Sequence, residues 1–576
     1  MAIKTGKTVF FIGICLLFIL ALFIRFWHFS INPPSLDWDE VSFGYNAYSI
    51  LKTGRDEFGT YLPRYIRSLD DYKMPLYTYL TAGSIALFGY NDFAVRFFSG
   101  IFGLGTVIVL YFLVQELTNR STIVRQKVSA QPPRVLIMFR LIAILSSLLL
   151  AIVPWHVQFS RFASEANSAL FFLVCGVTIF LYAIRKRVWV LPLSIIIFAL
   201  SAYTYRSEEV IVPLLIIVLI NLCWNEIKRI TNKTPVIIAG TLFTLLILLI
   251  ASDAISPIVN LRVKGTSVFD TGETNAILLA NGTERLLDIS QGKEIISKIF
   301  HSYHFSIAQI IIKGYLVHFS PTFLFTEYSQ RLYHTPFVAL LYLWMIFFIP
   351  IGIYYIIQHY PKSISRFIFF WLFISPIPAS VTRDVPQPAR VLPMLIPIII
   401  FVASVIISVY ENISKKYIVR YSYIAIVILC IVFSSIKYFH QYSTHLPYER
   451  SEDWIYGRKE LVDYVETNKA KYNNIIISTR LEWPHIFFLY YSKYDPAAYL
   501  RQGATVSGGW GEQRNRYDSY EFRAINRSTD FRNLNVNNIL YAGLPDEFPE
   551  KIKPLYIIRY LNGKPAIWIV DKTSFL

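Results

Sequence analysis

Long apolar runs alternate with short polar breaks from residue 8 to residue 437. A helix crosses the roughly 30 Å of bilayer hydrocarbon with about 20 residues. On that rule the pattern predicts eleven spans, near 8–27, 93–117, 135–153, 167–184, 188–204, 210–224, 234–252, 335–357, 366–382, 390–410 and 420–437. The first run follows MAIKTGK, reaches Phe26 and has no small-residue cleavage site after it, so it is expected to stay as an uncleaved helix. The breaks at 118–134, 185–187, 225–233, 358–365 and 411–419 are all basic; they hold Arg120, Arg125, Lys127 and Arg134, then Arg185 to Arg187, Lys228, Arg229 and Lys233, Lys362, and Lys415 with Lys416. With the N-terminus inside, every one of these loops falls inside, as the positive-inside rule requires. Pro75 to Gly89 is also apolar, but it is short for a crossing, and counting it would turn the later basic loops outward. It is therefore read as a helix lying in the outer interface, with Pro75 in its first turn. Asn46 to Lys52 reads as a second short helix of the same kind.

After Lys437 the pattern changes. Residues 438–576 contain no span-length apolar run, and NIIIST, IFFLYY, NILYAG, LYIIRY and AIWIV read as short β-rich segments. Glu460 to Lys471 reads as a helix. The expected architecture is thus a polytopic α-helical membrane domain, 1–437, followed by an extracytoplasmic α/β domain, 438–576. Two long loops, 28–92 and 253–334, accompany that domain on the outer face.

Composition agrees with this reading. The chain of 576 residues is 54% apolar and only 16% charged, too apolar for an ordinary soluble protein. The net charge of +17 resides mainly in the short loops, which argues against nucleic acid as a partner. The four cysteines, Cys15, Cys175, Cys223 and Cys430, all fall inside apolar runs and have no metal-site spacing.

The charges that do not follow the loop rule collect just after the first span. Asp37, Asp39 and Glu40 lie within four residues beside Trp38 and Phe43, and Asp70, Asp71, Tyr72 and Lys73 precede Pro75. Ionisable groups this close to a membrane are costly unless they are paired or functional. A carboxylate beside apolar surface has its pKa raised and suits a general base; equally, Asp37 suits a helix N-cap. Trp38 and Tyr72 are suited to stacking on a sugar ring.

Asp39-Glu40-Val41-Ser42-Phe43-Gly44 resembles the D-E-V-x-F-G stretch in the first external loop of protein O-mannosyltransferases. Lys73-Met74-Pro75-Leu76-Tyr77 resembles the K-P-P-L-Y stretch of the lipid A aminoarabinose transferases. Ser160-Arg161-Phe162 with Glu165 resembles the S-R-[YF]-plus-acid element of a later external loop, although Glu165 stands one residue from the family position. All three mark the GT-C superfamily of integral-membrane glycosyltransferases. The resemblance implies a sugar donor linked to a polyprenyl phosphate and an acceptor hydroxyl on a lipid, glycan or protein. It also implies inversion at the anomeric carbon, at an extracytoplasmic site of the cell membrane. In that reading Asp39, with Glu40 beside it, is the catalytic acid pair, and Lys73 and Arg161 hold the donor phosphate, joined by Arg383 and Arg390 of the loop RDVPQPAR. Asp37, Asp71, Tyr72 and Glu165 complete the candidate set. Some members of the superfamily use a divalent cation and others do not; for Mg²⁺ or Mn²⁺ the expected oxygen ligands are Asp39, Asp71 and Glu165.

Each residue has a plainer role to set against this. Lys73 is placed to snorkel to the interface, Arg161 to pair with Glu165 one helical turn on, and Arg383 and Arg390 to anchor a span end. Two other classes compete as well. A flippase or transporter of lipid-linked precursors calls for mid-membrane charges and repeated halves, whereas the charges here gather at one face. An O-antigen ligase or polymerase type of enzyme relies more on external Arg and His than on an Asp-Glu pair.

Overall fold

The computed structural model describes residues 2–69, 71–119, 134–256, 267–326, 331–413, 416–506, 515–531 and 538–575. Asp70, Arg120, Arg125, Lys127 and Lys415 lie outside the described residues.

Each of the eleven predicted segments is helical over most of its length. Helix α1 is Ala2–Phe26, and Asp92–Asn119, Glu165–Arg185, Thr234–Ala254, Leu395–Asn412 and Tyr417–His440 occupy expected places. Among the described residues, seven helical stretches are long and apolar enough to cross a membrane, with five shorter apolar helices beside them. The chain is an integral membrane protein on this evidence. Two details differ from expectation. The stretch Glu294–Phe325, read from sequence as part of the external loop 253–334, is one of the seven. Residues 335–344 are turns, and the helix there begins only at Met345. This turn segment is held to Pro154–Phe159 by the Trp155 N–H donating to the Leu340 carbonyl at 3.1 Å, a contact no local pattern reveals.

The first external loop is a folded unit. Helix α2, Trp38–Thr53, is one continuous helix, so Asn46 to Lys52 is its second half rather than a separate interfacial piece. Asp37 is its N-cap, accepting from the Glu40 N–H at 2.7 Å while the Glu40 carboxylate accepts from the Asp37 N–H at 3.2 Å. This reciprocal box satisfies two of the otherwise orphaned amides of the first turn. Gly54, left-handed at φ 71°, ends the helix. A hairpin follows, β1 (Ile66–Ser68) against β2 (Asp71–Lys73). Then comes α3, Leu76–Phe88, which buries Tyr77, Thr81 and Ile85 and leaves Leu87 exposed. Helix α4 is Asp92–Asn119.

The C-terminal part is a six-stranded mixed sheet. Its strands are β3 (Asn474–Ile477), β4 (Asn515–Tyr517), β5 (Tyr520–Phe522), β6 (Ile539–Gly543), β7 (Tyr556–Arg559) and β8 (Pro565–Val570). The order is β4-β5-β3-β6-β8-β7, with β3 parallel to both β5 and β6 and the outer pairs antiparallel. Four of the five predicted β-rich runs are strands. The fifth, IFFLYY, lies within the helix Pro484–Tyr491. A continuous apolar run fits either structure, and Pro484 in the first turn starts a helix readily.

That helix joins the two parts of the protein. It packs on α2 at Gly44, where an added Cβ would run into the Tyr490 ring. Thus the glycine of the D-E-V-x-F-G stretch is a point of close approach. One core cluster contains Leu36, Val41, Phe43, Tyr45 and Tyr77 from the first loop together with Ile475, Ile477, Phe487, Tyr520 and Ile567 from the sheet unit. Within the same contact, Glu57 is buried and accepts from Asn46 Nδ2 at 3.0 Å and from Thr505 Oγ1 at 2.9 Å, with His485 Nε2 at 3.7 Å.

Candidate active site

The first turn of α2 presents three carboxylates in succession, and the fold gives each a different environment. About 100° separates neighbours on a helix, so the three cannot face one place. Asp37 is buried at the cap. Burial, and then the carboxylates of Glu40 and Asp39, push its pKa well above the usual range.

Glu40 is fully enclosed. It takes a two-pronged bond from Arg96 on α4, Nε at 2.8 Å and Nη2 at 2.9 Å, and a third from the Ala163 N–H at 2.7 Å. The remaining Arg96 donors reach the carbonyls of Phe29, Pro33 and Ser35. Glu40 therefore ties the loop, α4 and the segment after Arg161 together. Its acceptor positions are occupied, which corrects its expected placement beside Asp39 as a catalytic group.

Asp39 is the acid that faces out. Its side chain is 47% exposed, and it accepts from Lys73 Nζ at 2.5 Å. Lys73 is only 6% exposed, with its ammonium 4.4 Å from the centre of the Phe43 ring. It is aimed inward by β2 rather than snorkelling away. The hairpin is positioned in turn by a 2.5 Å hydrogen bond between the hydroxyls of Ser42 and Ser68. Strand alternation places Tyr72 on the face opposite Lys73. The carboxylate of Asp71 accepts from the Tyr72 N–H at 2.8 Å.

Tyr333 completes this end of the site and was not anticipated. Its ring stacks on Phe159 at 5.3 Å. Burial, then neighbouring Tyr205 and the carboxylates of Asp39 and Asp37, raise its phenol, while Arg390 acts in the opposite sense. Tyr333 thus lies within electrostatic reach of both the acidic turn and Arg390. The Arg390 guanidinium donates to Thr382 Oγ1 at 2.6 Å and to the Arg383 carbonyl at 2.9 Å. Arg383 itself is exposed, 3.7 Å from Asp384. It lines a neighbouring cavity of about 540 Å³ with Lys313, Thr271, Thr274 and Thr382.

The structure engages Arg161 elsewhere. Its guanidinium is buried and donates to the carbonyls of Ile24 at 2.5 Å, Trp27 at 2.6 Å and Asn32 at 3.1 Å, over the Tyr442 ring. These carbonyls lie at the end of α1, where a helix leaves acceptors unsatisfied and a cation is favoured. Arg161 is accordingly a C-terminal cap for α1, not a group presented beside Lys73. Glu165 stands in the first turn of Glu165–Arg185, capped by Ser164, and its charge acts on buried Tyr77. Among the described residues no three His, Cys, Asp or Glu side chains converge to hold a metal ion. Asp39, Asp71 and Glu165 do not form the expected ligand set.

The family model described as dolichyl-phosphate-mannose-protein mannosyltransferase matches residues 15–125, which contain α1, the acidic turn and Lys73. No curated protein sequence matches the chain. Among solved structures the fold is similar to ArnT from Cupriavidus metallidurans bound to undecaprenyl phosphate. The TM-score is 0.51 at 11% identity, over 96% of this chain and 97% of that one. The archaeal oligosaccharyltransferase AglB from Archaeoglobus fulgidus, in complex with an inhibitory peptide and a dolichol-phosphate, gives a TM-score of 0.48 at 12% identity, over 84% of this chain. This chain spans 64% of the length of that AglB. The family match and the ArnT likeness agree with the GT-C resemblance carried by the three motifs.

Proposed function

We propose that this protein is an inverting glycosyltransferase that moves a sugar from a polyprenyl-phosphate donor to an acceptor hydroxyl, working at the extracytoplasmic face of the cell membrane. The observation that carries this reading is the Asp39–Lys73 pair: a half-exposed carboxylate held 2.5 Å from a buried lysine, both within the residues 15–125 that the family match covers. With eleven spans and the N-terminus inside, that turn would lie outside, and the basic loops support this reading.

Asp39 accepts the proton of the acceptor hydroxyl as its oxygen bonds to the anomeric carbon, and the bond from that carbon to the phosphate oxygen breaks on the opposite face. The leaving polyprenyl phosphate needs its charge stabilised rather than a proton. Lys73 supplies a point charge and Arg390 a planar fork for it. A donor phosphate competes with Asp39 for Lys73, so donor binding releases the carboxylate that must act as base. Arg383 and Lys313 extend the cationic surface into the adjoining cavity. Any divalent cation would be held by fewer protein carboxylates than the expected three.

The test is release of lipid phosphate by purified protein given a panel of polyprenyl-phosphate sugars. Wild type should turn over at least one donor. Asp39→Asn should abolish release with unchanged melting, and Lys73→Met should raise the donor KM. Full turnover by Asp39→Asn removes Asp39 as the base.

A further inference from the structure

The carboxyl edge of the C-terminal sheet is turned toward the acidic turn. In open sheets with parallel strands, ligands sit outside the carboxyl ends where the chain runs to opposite sides of a central strand. Here β3 lies between β5 and β6, both parallel to it, and the segment that leaves its carboxyl end is Ser478–Pro484. That segment carries Trp483, whose ring centre is 5.4 Å from that of Trp38, the residue next to Asp39. The two rings are tilted by 57° and both are half-buried, so each retains open surface.

The backbone of this segment is unusual. Glu482 (φ 56°, ψ 99°) and Trp483 (φ 47°, ψ 48°) are consecutive non-glycine residues in the left-handed region. Such conformations persist where surrounding structure imposes them and cluster at binding and active sites. Imposition is visible here: buried Arg458 donates to the Leu481 carbonyl at 3.1 Å, and Pro484 opens the helix docked on α2. The strained pair is thereby fixed beside Trp38. Glu482 is half-buried, and burial raises its pKa, with Arg458 opposing.

We propose that the C-terminal sheet unit supplies the acceptor half of the site, with Trp483 and Trp38 stacking on a carbohydrate ring of the acceptor and Glu482 accepting hydrogen bonds from its hydroxyls. The proposal rests on the transferase reading above and names its acceptor class as a glycan. Apolar ring faces pack on aromatic surfaces while hydroxyls at the ring edge need acceptors, and the two tryptophans with one carboxylate provide both. Trp38 and Asp39 occupy successive positions in the first turn of α2, so an acceptor held at Trp38 is within a helical turn of the carboxylate that takes the proton of the glycosylated hydroxyl.

The full-length protein in nanodiscs can be tested without turnover. Methyl glycosides of glucose, galactose and mannose serve as acceptor probes, read by saturation-transfer NMR. At least one should bind wild type with transfer strongest at ring-face protons. Trp483→Ala should weaken that binding roughly five- to tenfold, the range expected for losing one aromatic contact. Trp483→Phe should restore most of it, Glu482→Gln should weaken it, and binding of undecaprenyl phosphate should be unchanged in all three. A melting curve on each variant separates misfolding from lost contact. Absence of binding by all three glycosides, or equal binding by wild type and a folded Trp483→Ala protein, overturns the proposal. Glycan binding that depends on Trp483 in a protein that releases no lipid phosphate from any donor would leave this site standing and reject the transferase reading.

Discussion

Glu40→Gln separates the two adjacent acids of the turn. The Glu40 carboxylate and the Arg96 guanidinium are both fully buried and joined by two bonds of 2.8 and 2.9 Å. Removing the negative charge leaves Arg96 buried with only carbonyl partners, a change that costs about 3–5 kcal/mol in comparable pairs. The glutamine amide nitrogen also replaces either Oε1, losing the bonds from Arg96 Nε and the Ala163 N–H, or Oε2, losing those from Arg96 Nη2 and the Asp37 N–H. Against a typical total of about 5–15 kcal/mol this is a large fraction. In a chain of this length each kcal/mol moves Tm by about 1 °C, giving a fall of roughly 3–4 °C. The four free cysteines, with Cys223 buried, allow unfolding in detergent to be followed with a thiol-reactive dye. Arg96→Met added to Glu40→Gln should recover part of the loss, because the uncompensated cation is gone. Asp39→Asn, one residue away and half-exposed, should melt like wild type and lack activity. A Glu40→Gln protein that melts within about 1 °C of wild type and yet is inactive refutes the argument and returns Glu40 to the chemistry.

Three further expectations follow from particular contacts. Asp56 is buried, its Oδ1 accepts from the N–H groups of Phe58 and Thr60, and its Oδ2 has no partner; burial raises its pKa to about 6. The folded state then binds a proton more readily than the unfolded one, so stability falls as pH rises from about 4 to 6 and is lowest above it; Asp56→Asn should flatten that slope in melting curves between about pH 4 and 7, and an unchanged slope would exclude Asp56 as its source. Gly44→Ala must displace the Tyr490 ring, at a cost of about 1–3 kcal/mol, and should speed hydrogen exchange in 484–491; exchange equal to wild type would show that the contact has slack. Arg161→Lys loses the fork that holds three carbonyls and should lower Tm with the donor KM unaltered; a raised donor KM at full stability would return Arg161 to the phosphate.

The division between what sequence and tertiary structure decide is physical. Hydropathy and period are local quantities, and they placed the helical runs, four strands of the sheet, the short helix α3 and the cap role open to Asp37. They also marked the acidic turn and Lys73, because charges beside a span are conspicuous in so apolar a chain. Long-range pairing is not written in any window. Arg96 reaches Glu40 across 56 residues, Arg161 reaches the end of α1 across more than 120, and Trp483 meets Trp38 across 445. Which of the neighbouring acids is buried depends on α4 and the segment after Arg161, which enclose Glu40, and whether IFFLYY is strand or helix depends on the surface it meets where the sheet unit docks on α2. Burial and partner choice are properties of those contacts, and only the folded chain contains them.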